Sequence, residues 1–134
     1  MNSAAINICV QVSVWMYVFI SPRNIPRSRI AHLQNFNLKS IIIGNGVTKL
    51  PNGMLWVVPN IENITVKGKI TSIESEAFKD CPKLNSLNMD WSNVINIGDK
   101  AFENCSSLSG KIKLNPACAI SETAFNNCKI QVTK

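Results

Sequence analysis

The chain has 134 residues, one domain's worth, of which 46% are hydrophobic and 16% charged. Half of its formal net charge of +6 arises in residues 1–37, where Arg23, Arg27 and Arg29 stand without a single acid. A basic excess so local, without a stripe of Lys and Arg interleaved with aromatics, excludes a nucleic-acid surface; a lone histidine, His32, and cysteines without Cys-x-x-Cys spacing exclude a metal site.

Residues 4–20 form an apolar run with two readings. No Lys or Arg precedes it, and Asn7, Gln11 and Ser13 interrupt it. Alternation at Ile6, Ile8, Val10, Val12 and Val14 is that of a strand. Trp15, Val18 and Ile20 precede Leu38, Ile41 and Ile43 by 23 residues. Those observations favour an edge-strand cap or a degenerate repeat. The other reading is a membrane-directed segment, a signal or an anchor. Residues 21–37, with Pro22 and Pro26, read as an irregular connector ending in a helical turn around Ile30–Leu33.

From Leu38 onward the chain repeats itself. The first unit, 38–60, places apolar residues at Leu38, Ile41, Ile43, Val47, Leu50, Met54, Leu55 and Val58. The second, 61–83, repeats them at Ile61, Ile64, Val66, Ile70, Ile73, Ala77, Phe78 and Cys81. The third, 84–107, has Leu84, Leu87, Met89, Val94, Ile97, Ala101, Phe102 and Cys105, with one residue added near Asp90–Asn93. The fourth, 108–130, runs Leu108, Ile112, Leu114, Ala117, Ile120, Ala124, Phe125 and Cys128, with one residue added around Ser109–Lys111. Ile130 and Val132 supply a partial last strand. The motif Ala-Phe-x-x-Cys thus occurs three times, 24 and then 23 residues apart.

A period in the low twenties belongs to solenoids in which each unit gives one short strand and one return, and only the stack encloses a core. Ile41–Ile43, Ile64–Val66, Leu87–Met89 and Ile112–Leu114 alternate inward and outward, as strands of one parallel ladder should. The return, Ile70–Ile73 followed by Ala77–Cys81, has the spacing of a helical turn, opened near Ser75 and closed by Asp80 and Pro82. The expectation is an α/β solenoid in two parts: an atypical segment 1–37 and a repeat domain 38–134, with a strand ladder on one face and short helical or irregular returns on the other.

Phe78, Phe102 and Phe125 share one inward phase and are expected in the core. Cys81, Cys105 and Cys128 share another, which Val58 fills in the first unit, so they read as a ladder of buried thiols. Cys118 falls at a variable position; Cys9 lies in the atypical segment. Asn63-Ile64-Thr65 and Asn104-Cys105-Ser106 match the glycosylation tripeptide. Trp56 and Trp91 sit in loops, as exposed anchors or as cover for the loop edge. Lys67, Lys69, Lys111 and Lys113 read as a solvated face.

The consensus L-x-x-I-x-I-x-x-x-V-x-x-I-x-x-x-A-F-x-x-C, with its Ala-Phe-x-x-Cys copies and Ile97-Gly98, resembles the BspA-like, or Treponema pallidum-type, leucine-rich repeat. The resemblance covers roughly residues 38 to 132. It implies a surface antigen whose repeats bind a host or neighbouring-cell protein in adhesion, with a cell-surface or secreted location. It implies no enzyme, cofactor or small-molecule substrate.

Outward strand positions give the candidate binding face: Ser40, Ile42, Asn63, Thr65, Ser86, Asn88, Lys111 and Lys113. No serine with a histidine and an acid in phase, no paired carboxylates and no phosphate loop accompany them. Unpaired cysteines favour an alternative, an intracellular, cytoplasmic scaffold or adaptor; the short carboxy-terminal end favours another, a truncated fragment without independent function.

Overall fold

The computed structural model describes residues 39–56 and 58–134, together with the backbone of Asn7–Val10 and Met16–Phe19. Leu38, the connector 21–37 with its expected helical turn, and most of the run 4–20 lie outside these. Eleven strands are described in chain order: β1 (Asn7–Val10), β2 (Met16–Phe19), β3 (Ser40–Ile43), β4 (Lys49–Leu50), β5 (Asn63–Val66), β6 (Ser72–Ile73), β7 (Ser86–Asn88), β8 (Asn96–Ile97), β9 (Ser109–Lys113), β10 (Ala119–Ile120) and β11 (Lys129–Thr133). The amino-terminal pair β1–β2 is an antiparallel hairpin, and Cα atoms of β2 come within 8 Å of those of β3.

All other pairings are parallel and join one unit to the next. On the strand face β3, β5 and β7 form one sheet in the register Ser40 to Asn63 to Ser86. The 23-residue step therefore stacks each strand on its counterpart. Turning the corner, β4, β6, β8 and β10 form a second sheet through all four units. Its closeness needs Gly98, where a Cβ would stand 2.7 Å from the Ser75 backbone nitrogen.

The core fills the space between these walls. Ile41, Ile43, Ile64, Leu50, Ile73 and Ile97 are at most 1% exposed, as alternation requires. Phe78 and Phe102 are fully buried, and with Phe125 they form a continuous stack with centroids 5.1 Å apart at both steps. Phe125 itself is half-buried. Such offset aromatic contacts contribute about 0.5–1.5 kcal/mol each beyond area burial.

Cys81, Cys105, Cys118 and Cys128 are free thiols. Cys81 Sγ donates to the Leu55 carbonyl at 3.2 Å and Cys105 Sγ to the Phe78 carbonyl at 3.0 Å. Burial pushes the Cys81 thiol up to about 12 and Cys105 further in the same direction. Cys128, half-buried, is raised as well, again chiefly by burial.

Of the two forms expected for the returns, helical or irregular, the described residues take the irregular one. Among the described residues no helix occurs; the return side is a stack of turns. Glu76 (φ 58°) and Asp80 (φ 59°) sit in the left-handed region, which a right-handed helix cannot include, and Lys100, Asn104 and Asn127 repeat the same geometry. Some N–H groups bond three residues back, as Ala77 does to the Glu74 carbonyl, and others run between coils. The N–H groups of Leu55, Phe78 and Phe102 donate to the carbonyls of Ala77, Ala101 and Ala124 at 2.7–2.8 Å.

One inward assignment also changes. Cys118, not Ala117, is buried, and its N–H bonds the Asn115 carbonyl as that of Val94 bonds the Trp91 carbonyl. Ala117 is exposed in the turn outside it. The fourth unit recovers its phase one residue later than apolarity alone suggests, because alanine and cysteine are both small enough for the site.

Candidate interaction face

Alternation along each strand places Ser40 and Ile42, Asn63 and Thr65, and Ser86 and Asn88 on the outer surface of the β3–β5–β7 sheet. Register sets Ile42 beside Thr65 and Thr65 beside Asn88. Asn63 and Asn88 are exposed and the other four half-exposed. The six form two rows of hydroxyl, amide and one aliphatic group, with Asn88 Nδ2 donating to Ser86 Oγ at 3.3 Å. Lys39 and Glu62 pair at 3.9 Å beside the rows, both well exposed, so the pair adds little stability.

Lys111 and Lys113 do not join this ladder. They lie on β9, which pairs with β11 in the register Lys111 to Gln131 and Lys113 to Thr133. No Cα of β9 lies within 8 Å of one in β7. The expected single ladder is thus two sheets with a split between the third and fourth units. The local cause is the added residue: Leu108 to Ile112 spans four positions where Leu84 to Leu87 spans three, and Gly110 absorbs it at φ 111°.

Where the chain leaves β7 and β9 the split opens into a cleft of about 490 Å³. Met89, Asp90, Trp91 and Ser92 line one wall, and Lys113, Leu114, Asn115 and Pro116 the other. Trp91 tilts against Phe102 with centroids 6.0 Å apart, so it covers the core edge while facing the cleft. Asp90 Oδ1 accepts from Ser92 N–H (2.9 Å) and Oγ (2.7 Å). Those bonds, the hydroxyl's foremost and aided by Lys69, hold its carboxyl below the usual range.

The opposite surface carries a feature the sequence reading did not single out. Asp80, Asn104 and Asn127, equivalent positions of successive units, form a side-chain ladder. Asn104 Nδ2 donates to Asp80 Oδ1 (2.6 Å), and Asn127 Nδ2 to Asn104 Oδ1 (2.8 Å). Trp56, 38% exposed, closes the ladder by donating its indole N–H to Asp80 Oδ2 at 3.2 Å, with Lys79 Nζ 5.8 Å from the ring. Asn104 is therefore engaged on both sides of its amide, unlike the exposed Asn63 of the other tripeptide. The signal was present in sequence: three Asp or Asn residues at one phase, the residue types that best tolerate positive φ.

Among the described residues no cluster of three His, Cys, Asp or Glu side chains could hold a metal. Nor is any helix there long and apolar enough to cross a membrane.

Parallel strands at a 23-residue step, polar rows outside and an aliphatic-aromatic interior define a leucine-rich repeat solenoid. The chain belongs to the BspA-type leucine-rich repeat family: the model of the BspA type leucine rich repeat region, built of 6 copies, matches residues 23–133. A leucine rich cell surface protein of Faecalibacterium prausnitzii is similar in fold, with a TM-score of 0.62 at 16% identity. That similarity covers 93% of this chain but 33% of the other, so the chain spans about a third of that protein's length. No curated relative matches the sequence.

Proposed function

We propose that the chain is the protein-binding module of a BspA-like surface protein, acting in adhesion or ligand capture through the strand face at Ser40, Ile42, Asn63, Thr65, Ser86 and Asn88. The observation that carries this reading is the register of β3, β5 and β7, which converts two outward positions per unit into two continuous rows. Regularly spaced rows on the strand side of a solenoid form the kind of extended surface that such folds use for binding. The leucine rich cell surface protein of like fold supports a surface location by analogy.

The test is to immobilise the chain and pass a panel of purified extracellular-matrix proteins over it, with an Asn63→Arg/Thr65→Arg double variant alongside. Saturable binding that the variant loses, with its unfolding temperature unchanged, is expected. Absence of binding across the panel, or binding indifferent to the variant, counts against the reading.

One observation favours the same face working inside a cell. Cys81, Cys105, Cys118 and Cys128 are all free, as in a reducing compartment. Labelling intact producing cells with a membrane-impermeant biotin reagent separates the two, since an internal scaffold is labelled only after lysis.

A further inference from the structure

The split between β7 and β9 is more than a flaw in the ladder. Paired strands lie about 4.7–4.9 Å apart, so β7 and β9, with no Cα pair within 8 Å, are unpaired neighbours. Among the described residues β7 pairs only with β5, and β9 only with β11. Each therefore turns a row of backbone N–H and C=O groups toward the gap, the arrangement that recruits an added strand. The floor is apolar and uncovered. Leu87, Met89 and Ile112 are half-exposed, whereas Ile64, the register partner of Leu87 in the closed part of the sheet, is fully buried. Behind the gap, β8 and β10 remain paired, so the opening is a wedge hinged on an intact second sheet.

Charge says what kind of strand fits. Lys111 and Lys113 stand exposed on the β9 wall, and neither belongs to an ion pair among the described residues. At the exit, the cleft bounded by Met89, Trp91, Leu114 and Pro116 has room for one large side chain. We infer that the split receives an extended segment of a partner polypeptide, alternating apolar and acidic residues, which adds as a strand between β7 and β9. Its apolar side chains would cover Leu87, Met89 and Ile112, and its carboxylates would meet Lys111 and Lys113. The inference rests on the interaction-module reading and specifies a partner chemistry for it.

Hydrogen exchange on the full chain tests it, with a synthetic peptide of alternating valine and glutamate as probe and its valine–lysine counterpart as control. At a peptide concentration ten times the dissociation constant, amides of Ser86–Asn88 and Lys111–Lys113 should exchange about tenfold more slowly. The lysine peptide should leave them unchanged. Lys111→Glu/Lys113→Glu should reverse the preference, and deletion of Gly110, which restores the three-residue spacing, should abolish protection. No protection, protection confined to the outer edge of β11, or protection that grows with chain concentration and no peptide would overturn the proposal; the last would point to a second copy. Peptide protection without matrix-protein binding would sink the adhesion reading and leave the strand receptor. Matrix binding that Asn63→Arg/Thr65→Arg abolishes, without peptide protection, would do the reverse.

Discussion

Asn104 hands its amide hydrogen to the Asp80 carboxylate at 2.6 Å across 24 residues of sequence, from a backbone held at φ 62°. One residue type thus meets two demands at a single repeat position, tolerance of the left-handed region and a side chain that bonds its counterpart above and below. The same pairing, continued by Asn127 at 2.8 Å, makes the return side a hydrogen-bonded spine.

Separating those demands is a matter of two substitutions. Asn104→Gly keeps the backbone conformation and loses the ladder bonds, at a net cost of about 1 kcal/mol. Asn104→Ala adds strain from a Cβ at positive φ, about a further 1–2 kcal/mol. Urea unfolding should rank wild type above glycine above alanine. Equal stability of the two variants would remove the conformational half of the account.

The phenylalanine stack should be graded along its length. Phe102 is fully buried between Phe78 and Phe125, so Phe102→Ala should cost about 3–5 kcal/mol through transfer and cavity terms. Phe125, half-buried at the last coil, should cost distinctly less on the same substitution. Thermal unfolding of the two variants reads the difference directly.

Burial of Cys81 carries an alkaline signature. Its thiol ordinarily ionises near 9.0 and is pushed up to about 12 in the fold, chiefly by desolvation. A raised pKa means that the folded state favours the protonated form. The associated stability is therefore intact below pH 9 and is lost as pH climbs from about 9 toward 12. Cys81→Val, which copies Val58 of the first unit, should flatten part of the decline in urea midpoint above pH 9 relative to wild type. Parallel pH profiles for the two proteins would contradict this assignment.

Gly98 is a contact position. With a Cβ placed 2.7 Å from the Ser75 nitrogen, Gly98→Ala must push two adjacent coils apart, destabilising by about 1–3 kcal/mol. Circular dichroism melts would show the loss, and an unchanged melt would mean that the coils are less closely seated than described.

Much of this was legible from apolar phase alone. Subtracting 23 from Ile64 and Val66 gives Ile41 and Ile43, and those pairs are register partners. Phe78 with Phe102, and Cys81 with Cys105, were assigned to the core on the same ground. Phase says which way a side chain points but not how the backbone turns, so it leaves the returns helical or irregular, and positive φ at Glu76 and Asp80 makes them turns. Phase is equally silent on the distance between neighbouring strands. The split beside Lys111 and Lys113 left only an indirect trace, the four-residue step from Leu108 to Ile112 around Gly110. Ala117 and Cys118 show a third limit: where two adjacent residues both suit a small inward site, hydropathy does not choose between them.

The proposed division of labour gives recognition to the strand face and leaves the return side to hold the stack together. Matrix-protein binding by two double variants tests it most directly: Asn63→Arg/Thr65→Arg on the strand face, and Ser106→Arg/Asn126→Arg at exposed positions of the return side. The first pair should abolish binding and the second preserve it, with both proteins folded. Loss of binding in the second pair alone would place recognition on the opposite surface and contradict it.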